Sequence, residues 1–97
     1  MRIIARKTLR EFCHREPKAQ EQIAAWFAEA LDAQWTTPAE VKAKYGNASI
    51  LKEGRVVFNI CGNDYRLVVW INYVFFTIYI RFIGTHAAYD EIDAQSI

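Results

Sequence analysis

The chain has 97 residues, 53% of them hydrophobic and 14% aromatic, which predicts one globular domain and excludes a disordered chain. The net charge is only +1, but residues 1–18 hold six basic and two acidic side chains, a local charge of +4. Such a basic end either solvates an outer helix face or contacts a polyanion. No run reaches the roughly 18 apolar residues of a membrane span, and the first ten residues do not resemble a signal peptide. The two cysteines follow no metal or redox spacing, so we expect free, reduced thiols in a cytosolic protein.

The first half of the chain predicts mainly helices. The expected elements are a short strand at 2–5 and helices at 7–14, at 18–33 and from Pro38 to about Gly46. Thr37 is the expected N-cap of the third helix, with Glu40 at the reciprocal position of a capping box. On the first helix, Arg6, Arg10 and His14 recur at spacings of four and therefore share one face.

From Ser49 onward the apolar residues alternate, which predicts an antiparallel meander with turns at Glu53–Gly54, Gly62–Asn63 and Val74–Phe75. These turns place Trp70 opposite Tyr79 and Val68 opposite Arg81, and alternation sorts the side chains onto two faces. The face that the helices should cover carries Val56, Phe58, Ile60, Tyr65, Leu67, Val69, Ile71, Ile78, Ile80 and Phe82. The other face, expected to be open and concave, carries Asn59, Arg66, Trp70, Asn72, Thr77, Tyr79 and Arg81.

The fold class is therefore α+β: N-terminal helices packed on one face of a twisted antiparallel sheet, followed by a short C-terminal helix. We expect the whole chain, 1–97, to form this single domain. Thr85 is a suitable N-cap for the last helix, on which His86, Tyr89 and Asp90 share a face.

The open face carries groups suited to an anion. Arg66 and Arg81, with Asn59 nearby, form a receptor for a phosphate or carboxylate. His86 can move a proton near neutral pH, and Tyr89 can donate one or stack on a base. Cleavage of RNA by its own 2′-hydroxyl needs these groups and no metal. The same residues also have a simpler explanation, in which the arginines keep an exposed sheet face soluble and the histidine only begins a helix. Their chemistry alone therefore predicts an anion-binding domain and not a nuclease.

Several longer motifs follow one another in the second half of the chain. They are WTTPAEVK (35–42), ILKEGRVVFNI (50–60), GNDYRLVV (62–69), INY (71–73) and YIRFIGTHAAYDEIDA (79–94). The most specific pieces are G-N-x-Y-R-L and I-R-F-I-G-T-H-x-x-Y-D. On these motifs the chain resembles the HigB-type toxins of bacterial toxin–antitoxin pairs, which are relatives of the RelE-like mRNA interferases.

The resemblance implies a RelE/ParE-like fold and a toxin that cuts mRNA, typically on the translating ribosome, without a cofactor or metal. It also implies a helix-turn-helix antitoxin of the HigA type in the bacterial cytoplasm. That antitoxin neutralises the toxin, and only through it does the pair contact operator DNA. No membrane partner is implied.

The resemblance also assigns roles by motif position. Arg81 holds the phosphate, His86 serves as acid or base, and Tyr89 orients the nucleotide or donates a proton. Arg66 and Asn59 extend the phosphate contact. Two further candidates on the basic first helix, Lys7 and Arg10, contact the RNA backbone.

The third predicted turn departs from the family pattern, in which charged residues follow I-N-Y. Here the hairpin carries Trp70, Val74, Phe75 and Phe76, and an exposed apolar tip is typical of a protein interface. Two alternatives to a nuclease therefore stay open. One is a non-catalytic member of the same fold, either a topoisomerase inhibitor or a degenerate toxin that works through its antitoxin. The other is a structural domain that dimerises through the hairpin.

Overall fold

The computed structural model describes residues 1–97, and its helices and strands confirm the α+β class. In chain order the elements are β1 (Arg2–Ile4), α1 (Arg6–Arg15), α2 (Gln20–Asp32), α3 (Pro38–Lys44), β2 (Ser49–Ile50), β3 (Arg55–Ile60), β4 (Tyr65–Asn72), β5 (Thr77–Thr85) and α4 (His86–Tyr89). A short 3₁₀ turn, Pro17–Ala19, joins α1 to α2. No helix has the length and apolar character that a bilayer crossing requires.

The five strands form one sheet in the order β1-β5-β4-β3-β2. The meander from β2 to β5 is antiparallel as predicted. The sheet is nevertheless mixed, because β1 pairs parallel with β5, from Arg2 opposite Thr77 to Ile4 opposite Tyr79. The last strand of the chain therefore lies inside the sheet, between the first strand and the meander.

The main core lies between the helices and one face of the sheet. The helices contribute Leu9, Phe12, Ile23, Trp26, Ala30 and Val41 to it. Across from them, Val56, Phe58, Ile60, Leu67, Val69, Ile71 and Ile78 point from the strands. These inward side chains are the alternate residues of each strand, so the period-two pattern identifies the buried face of β3 and β4 correctly.

The hairpin of β3 and β4 has the predicted register. Asn59 lies opposite Arg66 and Phe58 opposite Leu67, with Gly62 at a positive φ of 64° in the connecting turn. Before β3 the chain turns at Gly54, whose φ is 80° and whose carbonyl oxygen accepts a hydrogen bond from the Ile71 N–H at 2.8 Å. Both positions need a backbone conformation that glycine adopts without a steric penalty.

A β-bulge interrupts the pairing of β4 with β5. Trp70 lies opposite Tyr79 and Val69 opposite Ile80, but Val68 lies opposite Phe82, so Arg81 is an extra residue with no partner. The predicted pairing of Val68 with Arg81 is therefore wrong. A bulge reverses the alternation beyond it, and no turn residue in the sequence marks its position.

The bulge moves Phe82 to the face opposite the helices, which corrects its predicted place in the main core. That face is not fully open, because a second small cluster of Val57, Val68 and Ala94 is buried there against Phe82 and Tyr89. The C-terminal segment after α4 provides the cover, with Ile92 and Ile97 packed on the same cluster. Thr77, predicted on the open face, is also buried.

The C-terminal segment is fixed to the turn before β3 by one residue. Gln95 accepts a hydrogen bond from the Lys52 N–H and donates one to the Lys52 carbonyl oxygen, both at 2.8 Å. Its own carbonyl oxygen accepts from Arg55 Nε at 2.8 Å. The segment therefore has a defined path across the sheet.

Candidate active site

Arg81 is exposed at the bulge, on the sheet face opposite the helices. Its guanidinium carbon lies 5.8 Å from the ring centroid of Trp70 and 5.7 Å from that of Tyr79. The two rings stack on each other with centroids 4.8 Å apart. Cation–π attraction holds the guanidinium beside the rings, while its N–H donors stay free to bind an anion. We call Trp70, Tyr79 and Arg81 the Arg81 cluster.

A second polar group lies towards the other end of the same strands. Arg66 lies opposite Gly84, and its Nη2 donates to Asn63 Oδ1 at 3.2 Å while Nη1 donates to the Tyr65 carbonyl oxygen at 3.1 Å. In the same turn, Asp64 pairs with Lys18. The hydrogen bond to Asp64 and its negative charge raise the pKa of Lys18, so this exposed amine stays charged at physiological pH.

The start of α4 adds a histidine to this second group. Thr85 Oγ1 accepts from the Ala88 N–H at 3.1 Å, which is the predicted N-cap. The His86 N–H donates to the Asp64 carbonyl oxygen at 3.0 Å, and its Nδ1 lies 3.1 Å from Asp90 Oδ2. The imidazole is half exposed, and its carboxylate partner orients it. We call Lys18, Asn63, Asp64, Arg66, His86 and Asp90 the His86 cluster.

Tyr89 faces a different environment. It packs on the second apolar cluster, with its ring centroid 6.5 Å from that of Phe82. The Phe82 ring in turn lies over Gly84, where an added Cβ would come within 2.6 Å of the ring. Tyr89 is therefore half buried between the two polar clusters, while His86 stays in contact with solvent.

The structure brings His86, Tyr89 and Asp90 into one helical turn beside Arg66, but it places Arg81 beyond the Phe82 ring. Arg81 is three residue steps before Gly84, which corresponds to about 10 Å along the strand. The two polar clusters thus lie in line along the sheet, with apolar side chains between them.

Three other predicted contacts lie outside the two polar clusters. Asn59 is at the free edge of β3, where it lines a cavity against α2. Lys7 and Arg10 are exposed on α1, whose apolar side packs into the main core on the other side of the sheet. Lys7 pairs with Glu11 at 3.6 Å, and a surface pair of this kind leaves the amine accessible.

The hairpin tip is an exposed apolar surface, as its sequence predicts. Val74 and Phe75 are 78% and 74% exposed, and Phe76 is 40% exposed. Asn72 Oδ1 accepts from the N–H groups of both Val74 and Phe75 at 3.1 Å, so the tip has a defined conformation. Trp70 differs from these residues, because it is half buried in the Arg81 cluster.

The sequence did not indicate Lys18 or Asp64 as site residues. They are 46 residues apart, and neither belongs to a pattern that indicates contact. Asn63 was predicted only as a turn residue, yet its side chain orients Arg66. No group of three or more histidine, cysteine or acidic side chains is placed to hold a metal ion.

Comparison with known proteins identifies the family of this fold and site. A family model described as HigB_toxin, the RelE-like toxic component of a toxin–antitoxin system, matches residues 19–92. The chain belongs to the HigB toxin family. This assignment agrees with the resemblance carried by the motifs, and it extends that resemblance into α2.

Individual HigB relatives align with almost the whole chain. A protein named mRNA interferase HigB from Escherichia coli O6:H1 is 23% identical over 94 residues, covering 95% of this chain and 91% of its own. A protein named mRNA interferase toxin HigB from Escherichia coli K12 is 26% identical over 96 residues, covering 97% and 92%. A relative from Shigella flexneri, also named mRNA interferase HigB, gives the same identity and coverage.

Proposed function

We propose that this HigB-family toxin is a metal-independent endoribonuclease that cuts mRNA on the translating ribosome. The observation that carries the proposal is the likeness, along nearly the entire chain, to proteins named mRNA interferase. The exposed cations and the half-exposed histidine on one sheet face are consistent with this chemistry.

In the proposed reaction, the 2′-hydroxyl of one nucleotide attacks the adjacent phosphorus, and the 5′ oxygen of the next nucleotide leaves. His86 is the acid or base, since its imidazole is accessible and oriented by Asp90. Tyr89 orients the nucleotide or donates the proton. Arg81 binds a phosphate of the same RNA strand, because it is exposed and has no acidic partner.

Because the two clusters are separated along the strand, we assign them contacts with different phosphates of the RNA. We assign to Arg66 and Lys18, which belong to the same cluster as His86, the phosphate that reacts or its neighbour. Arg81, further along β5, then binds another phosphate of the same strand. Asn59, Lys7 and Arg10 are proposed as outlying contacts to RNA backbone, whose strength should fall with salt concentration.

The partner is an antitoxin, as the family description states. We propose further that it is a HigA-like helix-turn-helix protein, that operator DNA is contacted only through it, and that the pair acts in the bacterial cytoplasm. Both cysteines are free and partly buried, which is consistent with a reducing compartment. Burial raises the pKa of the Cys13 thiol and so keeps it unreactive.

The test is induced expression of the chain in the absence of antitoxin, with primer extension on a cellular mRNA. We expect growth arrest and new 5′ ends, both lost in Arg81→Ala and His86→Ala. Arg15→Ala, which removes an exposed arginine from α1, is the matched control and should arrest growth like the wild type. Growth arrest with no new 5′ ends of mRNA in any of the cultures would contradict the nuclease assignment.

One observation favours a second candidate, a non-catalytic protein that acts through an interface. The exposed apolar tip of Val74, Phe75 and Phe76 is typical of a docking surface. This candidate predicts that Phe75→Ser abolishes the effect on growth while Arg81→Ala keeps it. The same growth experiment therefore separates the two functions.

A further inference from the structure

A groove runs along the free edge of β3, on the side of the molecule away from α4. It has a volume of about 370 Å³, in the range of sites that bind small ligands or peptide side chains. Its walls are one face of α2 (Gln22, Ala25, Trp26 and Glu29), the segment 44–48 before β2, and the edge residues 58–60 of β3. Of the proposed RNA-binding residues, only Asn59 borders this groove.

The edge of β3 has one unpaired position in the groove. The two-residue strand β2 pairs only with Val56 and Val57. The Leu51 N–H donates to the Arg55 carbonyl oxygen at 2.9 Å, so Arg55 and every second residue after it direct their backbone groups outwards. By this alternation the N–H and C=O of Asn59 face the groove beyond the end of β2.

The neighbouring outward position is already occupied. The Cys61 N–H donates to Gln22 Oε1 at 2.7 Å, which closes the edge just after Asn59. The free stretch therefore accepts only a short segment, which forms a donor–acceptor pair with the Asn59 backbone. An unpaired edge next to a two-residue strand is a typical place for a peptide from another chain to add to a sheet.

The wall of the groove is aromatic. Phe58 packs edge-to-face with Trp26 at 5.4 Å and with Tyr45 at 5.0 Å between ring centroids. Trp26 is only 3% exposed, so its ring packs within the wall. The wall therefore presents apolar surface to one side chain of a bound segment.

We propose that this groove binds an extended peptide segment of the antitoxin. The segment adds a short strand to β3 at Asn59 and places one apolar side chain against Phe58. The inference rests on the antitoxin partner of the proposed function, but it is independent of RNA cleavage.

The charges of the groove favour a peptide over nucleic acid. Lys44 is its only cation, and the Glu29 carboxylate in the same wall would repel a phosphate. The Glu29 carboxylate accepts a hydrogen bond from the Tyr45 hydroxyl and is therefore held in place. A neutral peptide backbone meets no such repulsion and matches the alternating donor and acceptor of the strand edge.

The first test is residue-resolved hydrogen exchange of the full chain, alone and bound to the purified antitoxin. In the free chain the Asn59 amide should exchange quickly, whereas the Phe58 and Ile60 amides, which face β4, should exchange slowly. In the complex we expect exchange at Asn59 to slow at least tenfold. An unchanged rate at Asn59, with protection at the hairpin tip instead, would overturn the inference and place the antitoxin on the tip.

A matched pair of variants tests the groove by steric blockage. Ala25 and Ala24 are both exposed on α2, but only Ala25 lines the groove. Ala25→Leu should weaken antitoxin binding at least tenfold, while Ala24→Leu should bind like the wild type. Equal affinities of the two variants would refute the assignment. Asn59→Ala, which keeps the backbone, should bind normally, and Asn59→Pro, which removes the N–H donor, should not.

Growth arrest of the same strains without antitoxin separates this inference from the proposed function. Arrest with mRNA cleavage, but no protection at Asn59, leaves the nuclease intact and removes the groove as a binding site. Protection at Asn59 in a chain that neither arrests growth nor cuts RNA supports the groove and refutes the nuclease.

Discussion

Replacing Gly54 by alanine should destabilise the fold by about 2–5 kcal/mol. An added Cβ would lie 2.6 Å from the Ile71 carbonyl oxygen and 3.1 Å from two atoms of the Trp70 indole. The positive φ of 80° contributes about 1–2 kcal/mol, and overpacking against a backbone atom adds about 1–3 kcal/mol. Because whole domains are stable by only about 5–15 kcal/mol, this loss is large.

Two other glycines allow the cost of the positive φ to be measured apart from the cost of the steric contact. Gly62 has a φ of 64° but open space around an added Cβ, so Gly62→Ala should cost only about 1 kcal/mol. Gly46 has open space and no positive φ, so Gly46→Ala should change stability by less than about 0.5 kcal/mol. Urea denaturation of the three variants gives the free energies of unfolding. If Gly54→Ala and Gly62→Ala were equally stable, the close approach of Gly54 to β4 would be refuted.

Three further predictions use the same measurement or a simple assay. Ile78→Ala should lower the free energy of unfolding by about 2–5 kcal/mol because Ile78 is fully buried, whereas Arg81→Lys on the exposed bulge should change it by less than about 0.5 kcal/mol; equal losses would refute the face assignment. Phe75→Ser should reduce concentration-dependent association in light scattering, and unchanged association would show that the tip is not self-adhesive. Burial, and secondarily the hydrogen bond to Glu29, raises the pKa of the Tyr45 hydroxyl in the folded protein. Because the hydroxyl ionises at a lower pH in the unfolded chain, the free energy of unfolding should fall as the pH rises above about 10. Denaturation at about pH 9 and 11 should show a smaller loss for Tyr45→Phe than for the wild type, and identical losses would contradict this assignment.

Local sequence signals predict much of this fold, because each reflects a conformational preference of a few neighbouring residues. The capping threonines at 37 and 85, the turn glycines at 54 and 62, and the alternation in β3 and β4 all act over a few residues. The structure has these features where the sequence indicates them. Family membership follows from longer motifs, because these specify many positions at once.

Features that depend on distant partners were not predicted. Beyond the bulge at Arg81, Phe82 packs over Gly84 and against the C-terminal segment, and no residue of β5 marks the position of the bulge in the sequence. The parallel pairing of β1 with β5 joins segments about 75 residues apart, for which alternation gives no register. For the same reason, the sequence suggested one continuous site where the structure has two polar clusters.

The position of β5 has a consequence for the synthesis of the chain. β5 is translated last among the strands, yet it pairs with both β1 and β4, so neither has its full complement of partners until residues 77–85 have left the ribosome. Helices α1 and α2 are made first, but the sheet that covers their apolar sides is incomplete until that moment. Long-range pairing of this kind delays folding, and elongation at about 5–20 residues per second leaves the nascent chain open for seconds. The candidate active site, which begins at the bulge of β5, therefore cannot assemble before nearly the whole protein has been translated.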